Sequence, residues 1–295
     1  MHRPLLFVLV ATVGFAIKGV IAKLAYTTGI TIVGLLVLRA AIAVPLFWLG
    51  ARWLGASWSD VRRRDVVAAM AAGTLYLLAG YCDFTAIDRI GAGPSRVLLF
   101  TYPLLVLLLE AGRDRRAPAR RELLAFGLAW PGLWLVASAG DLADPAGAAW
   151  GLGSAATYAI YLFVSQRMMP RLGSVRFAVL ANTGAGVALL AALPWLVTPG
   201  DLSFDAAALG WVALIAAFCT VLPFFLFFEG IRQLGAGRAS VISLTGPPLT
   251  LALAWMVLGE TLTWEQGLGA LMVLAGVGSL TLTSAPRPPR TRRTA

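Results

Sequence analysis

Charged residues are scarce in this chain, and histidine and cysteine are nearly absent. Of the 295 residues only 13% are charged, whereas about a quarter are charged in a typical soluble protein. The single histidine is His2, and the two cysteines, Cys82 and Cys219, lie inside apolar runs. Such an inventory supplies neither a metal cluster nor a disulfide framework, so the sequence predicts no metal site and no cofactor.

Other missing features exclude whole classes of function. The chain has no Gly-x-x-x-x-Gly-Lys-Ser/Thr loop, which excludes a nucleotide-driven pump within it. It has no internal histidine, and Asp83 and Glu229 are predicted at opposite membrane faces, so an enzyme is not expected. The net charge of +10 does not indicate nucleic-acid binding, because no basic face interleaved with aromatic residues lies outside the apolar runs.

Long apolar runs dominate what is present. Hydrophobic residues make up 59% of the chain, and the mean hydropathy is +0.81. About 20 apolar residues suffice for a helix that crosses a membrane. Ten windows meet this criterion, at about 4–23, 30–50, 66–87, 92–111, 121–140, 147–167, 174–196, 208–230, 236–258 and 264–283. The sequence therefore predicts an all-α integral membrane protein with ten transmembrane helices.

Arginine and lysine define the orientation of these helices. Of the 24 basic residues, 19 fall in the terminal segments or in the loops on the same predicted side of the membrane. Acidic residues such as Asp141, Asp201 and Glu260 populate the opposite loops. Because positive charge concentrates in cytoplasmic loops, both termini are expected in the cytoplasm, with the protein in the cell inner membrane. Residues 285–295 are expected to form a basic, disordered tail.

A repeated motif divides the chain into halves. The stretch from Gly91 to Pro103 returns 144 positions later, so that Thr245-Gly246-Pro247 matches Thr101-Tyr102-Pro103. Such an internal match indicates a duplication, with a first five-helix repeat at 1–146 and a second at 147–284. Since five is odd, the second repeat enters the membrane from the other side. Many secondary transporters have this inverted arrangement.

The prolines of the motif are expected to interrupt helices. Pro103 cannot donate to the carbonyl of Leu99, and Pro247 leaves the carbonyl of Ser243 without its helical donor. Each copy is therefore predicted to be a broken helix, one serving an outer gate and the other an inner gate. Packing is the alternative, because proline is common in membrane helices. The predicted hinge residues are Gly91, Gly93, Pro103, Gly235, Gly237 and Pro247.

Several motifs together resemble those of the drug/metabolite transporter superfamily, in its EamA-type branch. They are Leu38-Arg39-Ala40, Leu234-Gly235-Ala236-Gly237-Arg238-Ala239-Ser240, Pro247, Gly259-Glu260-Thr261-Leu262-Thr263 and the glycines Gly267, Gly269 and Gly276. The resemblance covers essentially the whole chain and implies a ten-helix, two-repeat carrier. One departure is Thr245-Gly246-Pro247-Pro248, where the family often has an acidic residue before its proline.

Within the superfamily the chain is most similar to the YddG-type exporters of aromatic amino acids and related flat cations, by the placement of its aromatic residues. The glycines Gly267, Gly269 and Gly276 are expected to allow close helix packing, with a homodimer contact as the alternative.

Ionisable side chains inside apolar runs are costly and mark candidate functional sites. Lys18 is expected to face the substrate cavity or an internal partner, and Arg39 either pairs structurally or contacts a substrate carboxylate. Asp83 and Arg96 are predicted near the outer ends of neighbouring helices, as a gate or as a mutually neutralising pair. Glu229 joins this gate or coupling group, with a structural ion pair as the alternative.

Tyrosines at the depth of the helix interiors supply the clue to the substrate. A buried tyrosine needs a partner for its hydroxyl, which favours a cavity wall, with packing as the alternative. Tyr158 and Tyr161 share a helix face that Ser165 extends. The predicted substrate cavity comprises Lys18, Arg39, Tyr81, Tyr102, Tyr158, Tyr161, Ser165 and Ser243.

The sequence thus predicts a secondary transporter that exports small amphiphilic metabolites, with aromatic or neutral amino acids foremost. Alternating access is expected at a central cavity between the repeats. The alternatives are an exporter of cationic drugs, nucleobases or other metabolites, and a channel. A small-molecule substrate and the lipid bilayer are the expected partners, without nucleic acid. A monomer is expected, with a homodimer as the alternative, and transport is either facilitated or coupled to protons through Asp83.

Overall fold

The computed structural model describes most of the chain, in five long stretches and several single positions. The long stretches are residues 2–113, 144–198, 205–234, 245–259 and 261–282. The remaining described residues are 115, 120, 124, 127, 128, 130–132, 134, 135, 201, 239, 242 and 243. Secondary structure in these residues is entirely helical. The prediction of an all-helical protein is confirmed for the described part of the chain.

Eleven α-helices can be delimited within the described residues. They are α1 (His2–Tyr26), α2 (Ile32–Trp53), α3 (Arg63–Ile90), α4 (Ala92–Leu99), α5 (Tyr102–Arg113), α6 (Pro145–Leu172), α7 (Ser174–Leu196), α8 (Ala206–Ala216), α9 (Leu222–Leu234), α10 (Gly246–Leu258) and α11 (Trp264–Leu282). A short π-helix, Ala217–Val221, joins α8 to α9.

Seven helical segments in the described residues are long and apolar enough to cross a membrane. They are Arg3–Tyr26, Ile32–Trp53, Arg63–Ile90, Ala92–Arg113, Pro145–Leu172, Ser174–Leu196 and Ala206–Leu234. These seven coincide with predicted spans one to four and six to eight. Predicted span five, at 121–140, lies mostly outside the described residues, as does the tail at 285–295. The arrangement of ten helices in two inverted repeats stays a prediction.

Predicted span four is broken into α4 and α5 at Phe100 and Thr101. The Thr101 hydroxyl donates to the carbonyl of Leu98 at 2.8 Å, and the Thr101 N–H donates to the same carbonyl at 3.1 Å. Helix α5 begins at Tyr102, which makes Pro103 its second residue. Proline is tolerated at this position because the N–H groups of the first helical turn have no helical acceptor.

The second copy of the motif makes the same turn. The Thr245 hydroxyl and N–H both donate to the carbonyl of Ile242, at 2.9 and 3.2 Å, and α10 begins at Gly246. Pro247 is accordingly the second residue of α10, while Gly235 and Gly237 lie outside the described residues. One local sequence therefore gives one local structure twice, 144 positions apart.

The two predicted glycine hinges in the first copy have different local roles. Gly91 has φ 86° and ψ 166°, and it forms the turn between α3 and α4. A positive φ favours glycine because other residues clash there. Gly93 lies against α10, where an added Cβ would be 2.5 Å from Leu251 Cδ2. Through Gly93, the first broken helix packs directly on the second.

The π-helix precedes Pro223, the second residue of α9. Proline has no N–H to donate to the preceding turn, and single π turns accommodate such interruptions within a long helix. Helix α1 approaches this point at Gly14, where an added Cβ would lie 2.5 Å from Pro223 Cγ. The interruption before Pro223 therefore takes the form of a π-helix packed against α1.

Helices α3 and α7 cross with their backbones in contact. An added Cβ at Gly73 would lie 1.9 Å from the carbonyl oxygen of Ala181, and one at Gly184 would lie 2.1 Å from that of Met70. Small residues permit such close approach, which stabilises helix pairs in membranes through van der Waals packing. At Gly267 no described residue lies within 4 Å of an added Cβ, so its packing role stays a prediction.

Gly73→Ala tests this crossing. Because the methyl group meets backbone atoms that cannot rotate away, we expect the free energy of unfolding to fall by about 1–3 kcal/mol, the usual cost of overpacking. Gly210→Ala is the matched control, since Gly210 is also helical but has no described neighbour within 4 Å of an added Cβ. Thermal unfolding of both variants in detergent measures the difference, and equal midpoints would contradict the packing argument.

Candidate functional site

A cavity of about 60 Å³ lies among α1, α3, α4, α6 and α9, and we call it the central cavity. Its walls come from residues on both sides of position 147, the predicted boundary between repeats. One water requires about 10–15 Å³, so the cavity has room for only a few molecules of that size. The lining residues are Phe15, Lys18, Tyr76, Ala79, Gly80, Asp83, Arg96, Leu99, Phe100, Tyr102, Ser154, Tyr158, Cys219, Phe224, Phe227 and Ser243.

Three ionisable side chains of the central cavity form one charged cluster. Lys18 Nζ donates to Asp83 Oδ2 at 2.7 Å, and the Arg96 guanidinium contacts Asp83 Oδ1. Asp83 and Arg96 are each 2% exposed. With ordinary ionisation the cluster carries two positive charges and one negative charge. Its formal charge is therefore +1 in surroundings that hold little water.

The turn at Gly91 places two members of this cluster together. Asp83 lies two turns before the end of α3, and Arg96 follows in the second turn of α4, so the turn folds one helix against the other. Lys18 reaches the same carboxylate from α1. The expectation of a mutually neutralising Asp83–Arg96 pair agrees with this geometry, and Asp83 is also the internal partner that was left unnamed for Lys18.

Aromatic rings form the remaining wall of the central cavity. The rings of Tyr102 and Tyr158 meet edge to face at 5.0 Å, and those of Tyr76 and Phe224 do so at 4.9 Å. The Tyr102 hydroxyl lies 3.4 Å from Ser243 Oγ. Lys18, Tyr102, Tyr158 and Ser243 thus lie at the cavity where the sequence analysis expected them.

Several lining residues were not predicted as site residues. They are Phe15, Tyr76, Ala79, Gly80, Leu99, Phe100, Ser154, Cys219, Phe224 and Phe227. A usable signal existed for Tyr76, because it precedes Asp83 by seven residues and so shares its helix face. No such signal existed for Phe224 and Phe227, since they are two of four phenylalanines within five residues of α9.

Four residues predicted at the substrate cavity do not line it: Arg39, Tyr81, Tyr161 and Ser165. Tyr81 packs edge to face on Trp150 at 5.7 Å. Tyr161 is fully buried behind Tyr76, with ring centroids 5.5 Å apart. Ser165 donates to the carbonyl of Leu162 within its own helix at 2.8 Å. Ser165 shares a helix face with Tyr158 but does not reach the cavity. It follows Tyr158 by seven residues, which correspond to about 10 Å along the helix axis.

Glu229 belongs to a separate polar cluster near the end of α9. Its carboxylate accepts from Arg232 Nε at 2.8 Å and from the Ser174 hydroxyl at 3.1 Å. It does not line the central cavity. Glu229 therefore forms the structural ion pair that was the alternative expected for it.

Arg39 lies in a second, smaller cavity of about 20 Å³, which we call the Arg39 cavity. Its NH1 donates to the Tyr76 hydroxyl at 2.9 Å. The guanidinium carbon is 5.5 Å from the ring centres of Tyr76 and Phe84. Tyr76 lines both cavities, so Arg39 is one side chain away from the central cavity.

Polar contacts at the ends of the helices hold the site in place from outside. Asp144 caps α6 by accepting from the Ala146 N–H at 2.9 Å, and it also accepts from Arg89 NH1 of α3 at 2.8 Å. The hydrogen bond from Arg89 lowers the pKa of the Asp144 carboxyl below its ordinary value. At the other end of α3, Arg176 NH2 lies 3.0 Å from Asp60 Oδ1, and its hydrogen bond likewise lowers the pKa of that carboxyl.

Comparison with known proteins gives consistent relatives over most of the chain. The model of the EamA-like transporter family matches residues 145–282. The uncharacterized transporter YcbK of Bacillus subtilis is 34% identical over 275 residues, which cover 90% of this chain and 88% of that protein. The uncharacterized transporter sll1319 of Synechocystis is 30% identical over an alignment of 305 positions, which covers 94% of this chain and 92% of that protein.

A named exporter and a solved structure complete the comparison. The threonine/homoserine exporter RhtA of Salmonella typhimurium is 29% identical over 212 residues, covering 70% of this chain and 68% of that protein. A crystal structure with 15% identity superposes with a TM-score of 0.66 and covers 95% of this chain and 96% of its own, which shows a shared fold. From these matches, the chain belongs to the EamA-like transporter family.

Proposed function

We propose that this transporter is a secondary carrier that exports small amphiphilic metabolites, foremost aromatic or neutral amino acids, by alternating access. One observation carries the proposal. The central cavity is lined from both sides of position 147 and joins a charged cluster to an aromatic wall. Carriers built from inverted repeats bind their substrates at such an interface near the middle of the membrane.

The chemistry of the central cavity matches a zwitterion with an apolar side chain. Lys18 and Arg96 offer donors to a carboxylate, and Asp83 offers acceptors to an ammonium group. The rings of Tyr102, Tyr158 and Phe224 provide an apolar surface beside them. A cationic substrate fits less well, because the cluster already has a formal charge of +1.

The broken helices supply the moving parts of the proposed mechanism. Both copies of the motif make the same threonine turn, and α4 packs against α10 at Gly93 and Leu251. In the proposed arrangement of two inverted five-helix repeats, Pro103 serves the outer gate and Pro247 the inner gate. The cavity is far smaller than the roughly 300–1,000 Å³ of typical ligand pockets, so a substrate enters only when these helices move.

The relatives support export of an amino acid. RhtA, which matches about 70% of this chain, is named a threonine/homoserine exporter.

By the same proposal the protein lies in the cell inner membrane with both termini in the cytoplasm, acts without catalysis and works as a monomer. A homodimer is the alternative state.

Transport into proteoliposomes tests the function directly. We expect the purified protein to accelerate the flux of phenylalanine, tryptophan, leucine or threonine, because these zwitterions match both parts of the cavity. Saturable counterflow distinguishes a carrier from a channel. Flux of amphiphilic cations alone would favour the alternative substrate class, and no flux of any amino acid or cation would contradict the carrier itself.

Asp83→Asn tests the charged cluster. The substitution leaves the charges of Lys18 and Arg96 buried without a carboxylate, and breaking a buried ion pair in this way costs about 3–5 kcal/mol. We expect a lower thermal midpoint in detergent and loss of amino-acid export. Adding Lys18→Met should recover part of the stability but not the export. Asp60→Asn, which alters an exposed pair, is the control; wild-type export by Asp83→Asn would refute a role in transport.

Pro103→Ala and Pro247→Ala test the hinges. Alanine restores the missing N–H and favours a continuous helix, so we expect the transport rate to fall several-fold while substrate affinity changes little. Pro194→Ala is the matched control, because Pro194 also lies inside a helix but is exposed and far along the chain from the motif. Unchanged flux in both motif variants would assign these prolines to packing alone.

A further inference from the structure

Arg39 carries a buried charge that no acid neutralises within the described residues. The side chain is 5% exposed, and its polar contact is the neutral hydroxyl of Tyr76 at 2.9 Å. The rings of Tyr76 and Phe84 compensate part of the charge through cation–π contacts. Lys18 and Arg96 differ from Arg39 in this respect, because both contact the carboxylate of Asp83.

The Arg39 cavity also holds hydrogen-bond donors that remain unused. Arg39 Nε and Thr220 Oγ1 are buried and have no hydrogen-bond partner among the described residues. Both residues line this cavity, and Thr220 is 1% exposed. Burying a donor without an acceptor costs about 1–3 kcal/mol. Two such donors around one small space indicate a missing acceptor.

The size of the Arg39 cavity suits a small group. Its volume of about 20 Å³ exceeds the 10–15 Å³ that one water-sized species requires. A carboxylate accepts several hydrogen bonds, pairs well with the planar guanidinium of arginine and cancels its charge. A water satisfies the donors but leaves the charge of Arg39 uncompensated.

Tyr76 connects this cavity to the central one. Its ring lines the central cavity beside Phe224, and its hydroxyl accepts from Arg39. A rotation of the Tyr76 side chain would therefore join the two spaces and release one more Arg39 donor. The combined space offers a charged end and an aromatic end to one molecule.

We infer that Arg39 and Thr220 form the subsite for the carboxylate of the transported substrate, with Tyr76 as a movable partition between this subsite and the central cavity. The inference rests on the proposed function as an amino-acid carrier. The substrate side chain then lies against the aromatic wall of the central cavity. Lys18 and Arg96 keep Asp83 as their shared acceptor, and the substrate carboxylate binds at Arg39 in place of these two cations.

Paired ligands test this assignment on the purified, full-length protein. We compare the affinities of L-phenylalanine and phenethylamine by calorimetry, because the two differ only in the carboxylate. For the wild type we expect the amino acid to bind about tenfold or more tightly than the amine, as one charge-assisted hydrogen bond implies. In Arg39→Gln this ratio should fall by about tenfold, while the affinity for the amine stays unchanged.

A second variant keeps the test decisive if Arg39→Gln does not fold. Thr220→Val preserves shape and charge but removes the hydroxyl donor, so the preference for the amino acid should fall by about threefold to tenfold. Lys23→Gln is the control: Lys23 donates to the carbonyl of Asp88 outside both cavities, and its loss should leave the ratio unchanged.

The outcomes separate this inference from the proposed function. If the wild type exports phenylalanine in proteoliposomes but Thr220→Val and any folded Arg39→Gln keep the full preference for the amino acid, the carboxylate subsite is wrong and the carrier function stands. If the wild type neither binds nor exports any amino acid, both are wrong. Reduced preference in the variants with wild-type stability supports the subsite.

Discussion

Neutralising charge in a medium without water is the constraint on which the architecture around the cavity depends. Asp83 on α3 holds Lys18 on α1 and Arg96 on α4 through one carboxylate. A buried charge is tolerated only when it is paired and hydrogen-bonded. Three of the helices around the central cavity are therefore tied to one another by the same side chain that makes the cavity polar.

Close backbone approach gives the helices their second means of association. Lipid tails are as apolar as leucine, so helices in a membrane associate through packing rather than through the hydrophobic effect. Gly73 and Gly184 allow α3 and α7 to touch, Gly14 admits the π-helix before Pro223, and Gly93 admits Leu251. The last of these contacts joins the two copies of the broken helix.

The two small cavities differ in how their charges are balanced, and this difference organises the proposed recognition. In the central cavity Lys18 and Arg96 share an internal carboxylate, whereas Arg39 has no acidic partner among the described residues. An internal acid stabilises the empty protein. A cation without an internal acid is neutralised only when a ligand supplies the negative charge. A carrier can thus bind a carboxylate at a position that no acidic side chain of the protein occupies.

The sequence by itself determined the class of protein and its local structure. Composition and run length specified apolar helices, and the Thr-x-Pro motif specified the same turn at Thr101 and Thr245 because that turn depends on neighbouring residues alone. Spacing also suggested the Asp83–Arg96 pair, since only a tight turn at Gly91 separates their helices. These features are encoded within about a dozen residues.

The tertiary structure alone decided which residues meet at the cavity. Lys18 reaches Asp83 across 65 positions of the sequence, Tyr161 and Ser165 turned out to lie behind the wall rather than in it, and Tyr76 stands between two cavities. A soluble helix reveals its inner face by an apolar stripe, but a membrane helix is apolar on every side. Its sequence therefore does not show which face turns inward; only the packing of each helix against its neighbours determines that.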